Sequence, residues 1–186
     1  MKYRKLNIVE MNRMSVDEYH ESEKLPLVVV LDHVRSLYNV GSVFRTADAF
    51  RLSGVCLCGI TATPPNAEIH KTALGAEDSV DWQHYERTED CVAQLQSDGY
   101  RVMAIEQCES STMLQDIVIN NVDRNVDNLR GYAIVLGNEV KGVQQQVVDM
   151  CDECIEIPQF GTKHSMNVSV TAGIVIWEIA RRLKLS

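Results

Sequence analysis

The sequence predicts an α/β fold in which a mostly parallel sheet is covered by helices on both faces. Segments of strand character alternate along the chain with segments of helical periodicity. Several strand segments are apolar throughout, not at every second residue. "LPLVVVLD" (Leu25 to Asp32) and "GYAIVLG" (Gly131 to Gly137) are the clearest, and such runs mark strands buried on both faces. No repeat, low-complexity tract or linker divides the 186 residues, a length that suits one domain with a sizeable core.

The elements follow in order. Residues 1–24 read as an N-terminal extension carrying a short helix in "SVDEYHESEK", capped by Ser15, and residues 25–186 as the main domain. After the strand ending at Asp32, a helix is expected from Asn39. Ser53 to Ile60, "SGVCLCGI", is a second strand. "TATPPN" is a turn, "AEIHKTALGAE" a short helix ending near Gly75, and "SVDWQHY" a short strand. "TEDCVAQLQSDG" has a threonine start, helical periodicity and a glycine stop, and "YRVMAIE" is the next strand. Gln107 to Arg130 is the least readable run; a short helix around Met113 to Ile119 and then a polar connection are expected. "ECIEIP" (Glu153 to Pro158) is the last strand, and a long helix from about Asn167 to Lys184 closes the chain.

Composition narrows the function. The hydrophobic fraction is 45%, no apolar run is long enough to cross a bilayer, and the N-terminus has no apolar secretory core. A cytoplasmic protein with no membrane association is expected. The formal net charge of −8 argues against a surface that clamps nucleic acid everywhere, though not against a local basic patch. Arg35, Arg45, Arg51, Lys71, Lys163 and His164 fall in or near the loops considered next, whereas Asp149, Asp152, Glu153 and Glu156 crowd elsewhere. The six cysteines are expected as reduced thiols, with Cys56 and Cys58 on one face of a strand. Cys151 and Cys154 form a C-x-x-C pair with no matching second pair, so no metal is expected.

In open parallel sheets, ligands sit outside the carboxyl ends of the strands. The loops leaving "VVVLD", "AIVLG" and "CIEIP" are therefore the ones to read. In the first, Val40, Val43, Ala47 and Phe50 share a helical face, and Arg45 shares another stripe with Gly41 and Asp48. On spacing alone Arg45 is an exposed arginine paired with Asp48, with open space at Gly41, and Asn39 is a plain N-cap. The second loop, "VLGNEVKGV" (Val135 to Val143), sets Asn138 and Glu139 between two glycines. Its backbone suits edge-on recognition of a flat heterocycle, and it matches neither a dinucleotide fingerprint nor a P-loop. Taken alone, Glu139 is as readily a solvated loop acid. In the third, "IPQFGTKHSMNVSVTAGIVIWEIARRL", Ser165 and Asn167 stand at a helix start where backbone donors are free, and ordinary capping accounts for them equally well.

Together, "NVGSVFRTAD", "VLGNEVKGV" and "IPQFGTKHSMNVSVTAGI", in that order, resemble the three motifs of the SpoU/TrmH branch of the SPOUT superfamily of S-adenosylmethionine-dependent RNA methyltransferases. The resemblance runs from about Leu27 onward. It implies a C-terminal deep trefoil knot over roughly Gly131 to Ser169, which general topology rules would not suggest. It implies S-adenosyl-L-methionine as cofactor, held by Leu136, Gly137, Ile157, Ser165 and Met166. It implies a homodimer with active sites completed across the interface, and ribose 2′-O-methylation of RNA with Arg45 central to catalysis. Asn39, Glu139, Ser165 and Asn167 would then hold the reacting groups in register. The short N-terminal extension favours tRNA over rRNA as partner. Alternatives are a branch that methylates a base nitrogen, a noncatalytic cofactor- or RNA-binding module with the same fold, and a flavodoxin-like or nucleotide-binding α/β domain.

Overall fold

Strand β1 (Leu25–Asp32) runs through the middle of the sheet and shows why its sequence does not alternate. Leu27, Val29 and Leu31 join one core with Val40, Phe44, Ile69 and Val175, while Val28 and Val30 join another with Cys91, Val92 and Val147. Each buried side chain of this kind contributes about 1.5–3 kcal/mol. Loss of either layer would therefore exceed the roughly 5–15 kcal/mol of net stability of a typical domain.

The computed structural model describes residues 3–7, 9–119 and 129–184. Among them seven strands, all paired in parallel, form one sheet. They are β1, β2 (Leu52–Cys58), β3 (Trp82–Tyr85), β4 (Tyr100–Ile105), β5 (Thr112–Met113), β6 (Gly131–Leu136) and β7 (Glu153–Glu156), in the spatial order β3-β2-β1-β6-β4-β7-β5. On one face lie α2 (Leu37–Ala49), α3 (Ala67–Ala73), α4 (Ala76–Ser79) and α7 (Val168–Lys184); on the other lie α5 (Thr88–Ser97) and α6 (Gln145–Met150). The N-terminal α1 (Val16–Glu21) opens on the expected cap Ser15, which forms a capping box with Glu18, and its Tyr19 is buried in the first core. Cys56 and Cys58 do share a face, together with Cys91. Among the described residues no helix is long and apolar enough to cross a membrane.

Local chemistry moved several boundaries. Helix α2 starts at Leu37, because the Ser36 hydroxyl accepts from the Asn39 amide N–H at 3.3 Å; Ser36, not Asn39, is the cap. The space expected at Gly41 is filled by α3: an added Cβ would lie 2.2 Å from Ile69 O and Thr72 Oγ1. Thr88 is the first residue of α5, and its hydroxyl donates to the buried Asp32 at 2.6 Å instead of capping the helix. Thr112–Met113 pairs with β7 and a 3-10 turn follows over Leu114–Asp116, replacing the helix expected at Met113 to Ile119. Most of the polar connection expected after it, 120–128, lies outside the described residues. Helices α4 and α6 were not read from the sequence; at 4 and 6 residues they are too short to show a period.

Candidate active site

The carboxyl ends of β4, β6 and β7 open into a cleft of about 840 Å³. Leu136, Gly137, Glu139, Ile157, Ser165 and Met166 all line it. A smaller cleft of about 560 Å³, lined by Pro64, Pro65, His70, Glu77 and Trp82, contains none of the residues singled out in the sequence.

The loop after β6 is a tight, self-bonded turn. Asn138 and Gly142 exchange backbone hydrogen bonds, Asn138 N–H to Gly142 O at 3.0 Å and Gly142 N–H to Asn138 O at 2.9 Å. Asn138 Oδ1 accepts from the Val140 and Lys141 amides, and its Nδ2 donates to His33 O at 2.8 Å. Gly142 has φ +69°, which favours glycine. Gly137 is required for a different reason: a Cβ there would stand 2.0 Å from Gly142 C and 2.1 Å from Val143 N. The two glycines of "GNEVKG" thus form the turn by close packing of backbone on backbone.

Glu139 fastens this turn to the start of α2. Its Oε2 accepts from Arg35 N–H at 3.0 Å, and its Oε1 accepts from Ser36 N–H at 3.0 Å and Asn39 Nδ2 at 3.1 Å. A carboxylate so placed also meets the positive end of the helix dipole. Asn39 in turn accepts at Oδ1 from Asn167 Nδ2 at 3.1 Å, and Asn167 Oδ1 accepts from the Ser169 and Val170 amides at the start of α7. One chain of hydrogen bonds, Glu139–Asn39–Asn167, therefore joins the three loops. Capping explains part of Asn167, but neither Asn39 nor Glu139 is the bland residue that its spacing allowed.

Burial alone would raise the pKa of Glu139. The backbone hydrogen bonds from Arg35 and Ser36 and the Asn39 amide outweigh it and hold the carboxyl below its ordinary value. A depressed folded-state pKa contributes stability that is present above the unfolded value and lost as pH falls through the folded one. Wild type is therefore expected to exceed Glu139→Gln in thermal stability by a constant margin from pH 6 to 8, and by a shrinking margin as pH falls below about 4.5. Melting curves across that range check it; a margin that grows on acidification contradicts the clamp.

Arg45 is not part of this chain. It is exposed on α2, and among the described residues it has no hydrogen-bond or ion-pair partner. The pairing with Asp48 suggested by the spacing does not occur, because Asp48 accepts from Ser79 Oγ at 2.7 Å. Ser165 lines the cleft with no partner among the described residues, and His164 contributes its carbonyl, which accepts from Gln107 Nε2 at 2.8 Å.

Sequence reading missed Asp32, Glu106, Gln107 and Gln144. Asp32 is fully buried and accepts from Thr88 Oγ1 and from both the backbone and side-chain N–H of Gln144, so it anchors the far end of the turn. The available signal was an acid ending an apolar strand, in both "VVVLD" and "VMAIE". The C-x-x-C spacing points to the wrong pair: Cys154 Sγ donates to Cys108 Sγ at 2.8 Å. Burial, then the contact with Cys108, pushes the Cys154 thiol up to about 12, so it is protonated at neutral pH. Among the described residues no cluster of His, Cys, Asp and Glu could hold a metal ion.

The SpoU rRNA Methylase family model matches residues 26–177. A curated relative described as a putative TrmH family tRNA/rRNA methyltransferase from Staphylococcus aureus is 29% identical over 162 residues, covering 87% of this chain and 61% of the relative. The chain thus spans less than two thirds of that relative's length. Among solved structures, the AdoMet-bound rRNA methyltransferase from Sinorhizobium meliloti superposes with a TM-score of 0.74 at 29% identity, over 94% of this chain and 62% of the other. A putative RNA methyltransferase of the TrmH family from Porphyromonas gingivalis gives a TM-score of 0.74 at 25% identity, over 86% and 61%.

Proposed function

The chain belongs to the SpoU rRNA Methylase family, and we propose that it transfers a methyl group from S-adenosylmethionine to a ribose 2′-hydroxyl of RNA. The observation that carries this reading is that the loops after β6 and β7, which wall one cleft, are tied to each other and to the start of α2 by the Glu139–Asn39–Asn167 chain.

The cleft fits the cofactor. Leu136, Ile157 and Met166 provide an apolar slot, the turn from Gly137 to Gly142 offers backbone to a flat base, and no phosphate cradle is needed. When bound, S-adenosylmethionine supplies an electrophilic methyl group on a sulfonium. Glu139 and Asn39 set the start of α2 against the turn, and Asn167 sets the start of α7. Ser165, at the cleft wall with its hydroxyl unengaged, is placed to contact either ligand.

Arg45 acts on the substrate side. A guanidinium hardly gives up a proton, so its roles are to hold a phosphate bidentately beside the reacting ribose and to stabilise the oxyanion as it forms. We place it in the active site of a second copy of the chain. Its exposure on α2 without a partner supports this, as do the exposed Val170, Ile174 and Trp177 on the packed neighbour α7, an apolar strip suited to a homodimer. The C-terminal trefoil knot across Gly131 to Ser169, and the division into a 1–24 extension and a 25–186 catalytic domain, are part of the same proposal. Transfer RNA is carried as the substrate and ribosomal RNA as the alternative.

Ribose-methylation mapping of total RNA from cells lacking the gene tests it. One 2′-O-methyl site is expected to vanish, and purified protein with S-adenosylmethionine is expected to restore it. Restoration of a base methyl instead assigns the chain to other chemistry, and cofactor binding without transfer assigns it to a binding module.

A further inference from the structure

Strand β4 lies between β6 and β7 in the sheet, so its carboxyl end emerges between the two loops that wall the cleft. The two residues that follow it reach to opposite sides. Glu106 Oε2 accepts from Val143 N–H at 3.0 Å, at the end of the turn after β6, while its Oε1 accepts from Gln107 N–H at 2.9 Å. Gln107 Nε2 donates to His164 O at 2.8 Å, in the loop after β7, immediately before Ser165 and Met166. Glu106 also abuts the turn directly, since a Cβ on Gly142 would lie 2.0 Å from its Oε2. All of these residues line the cleft.

We propose that Glu106 and Gln107 are positioning residues that fix the separation of the two loops and so set cofactor affinity. This inference rests on the cofactor assignment made above. Each oxygen of Glu106 receives one backbone N–H, so both need to be acceptors. Glutamine has the same shape but offers one acceptor and one donor. Whichever way its amide turns, an N–H faces an N–H, and either the turn or the β4 end is released. Gln107 is exposed, and truncating its side chain frees His164 O without touching the core.

Calorimetric titration of S-adenosylhomocysteine into wild type, Glu106→Gln and Gln107→Ala tests the proposal, alongside methyl transfer at saturating cofactor. Glu106→Gln is expected to weaken binding about tenfold or more and Gln107→Ala about threefold, on the order of one charge-assisted and one neutral hydrogen bond. The cofactor KM is expected to follow these losses while kcat stays within about twofold. A variant that merely folds poorly would lower the binding stoichiometry and leave the affinity of the folded fraction unchanged. Amide exchange at Val143 is expected to quicken in Glu106→Gln. Wild-type protein that takes up no S-adenosylhomocysteine overturns the cofactor assignment itself. Tight wild-type binding matched within twofold by both variants overturns the positioning role and leaves that assignment standing.

Discussion

Arg45→Ala is expected to lower methyl transfer to the RNA substrate by about 10³-fold while S-adenosylhomocysteine binding stays within twofold of wild type. The argument is one of placement. Arg45 does not line the cleft of its own chain, and among the described residues it has no hydrogen-bond or ion-pair partner. Its removal therefore leaves the Glu139–Asn39–Asn167 chain and the cleft walls as they are. What is lost is a planar cation able to grip a phosphate at two points, and with it the alignment of the neighbouring hydroxyl. Lysine supplies charge without the fork, so Arg45→Lys is expected to recover only part of the rate. Mixed dimers distinguish action in cis from action across the interface. Pairing an Arg45→Ala chain with a Gly137→Ala chain restores one competent site only if the arginine serves its neighbour. Unchanged turnover in Arg45→Ala removes the residue from the mechanism.

Gly137→Ala is expected to abolish cofactor binding, by at least about 100-fold, with the fold retained. The added methyl would stand 2.0–2.1 Å from Gly142 C and Val143 N, which are backbone atoms that cannot rotate aside. The turn must shift by about an ångström or more, and displacements of that size cost on the order of 10² in function. The 3.0 and 2.9 Å bonds between Asn138 and Gly142 break with it. Overpacking of this kind costs about 1–3 kcal/mol, which a domain of this size tolerates. Gly161→Ala is the control: nothing lies within 4 Å of a Cβ there, and binding is expected to stay within twofold. Cofactor affinity in Gly137→Ala equal to that of the control contradicts the role given to the turn.

The sheet and its layers were legible because parallel strands buried on both faces are apolar almost throughout, as β6 is and as β1 is up to Asp32. The main cleft was legible from the second and third motifs and a topology rule: Leu136, Gly137, Ile157, Ser165 and Met166 all fall on it, whereas no residue of the first motif lines it. What spacing could not show were contacts that depend on the order of strands in space. Asn39 looked like a cap because its tie to Glu139 crosses 100 positions of sequence. Asp32 and Glu106 looked like strand ends because their partners, Gln144 and Val143, lie in the segment that follows β6, the strand that slots in between β1 and β4. Thr88 and Asp48 were misjudged in the same way, each bonding across the fold to a residue that helical periodicity does not reveal.

The insertion of β6 between β1 and β4 also orders events on the ribosome. Strands β1 to β4 are synthesised first, yet β1 and β4 never touch; each waits with a bare apolar edge for residues 131–136. Nascent chain therefore cannot join these two strands until residues 131–136 have been made, and the joining step is a long-range pairing, which is intrinsically slow. Until then those open margins are the ones most exposed to aggregation and to chaperones.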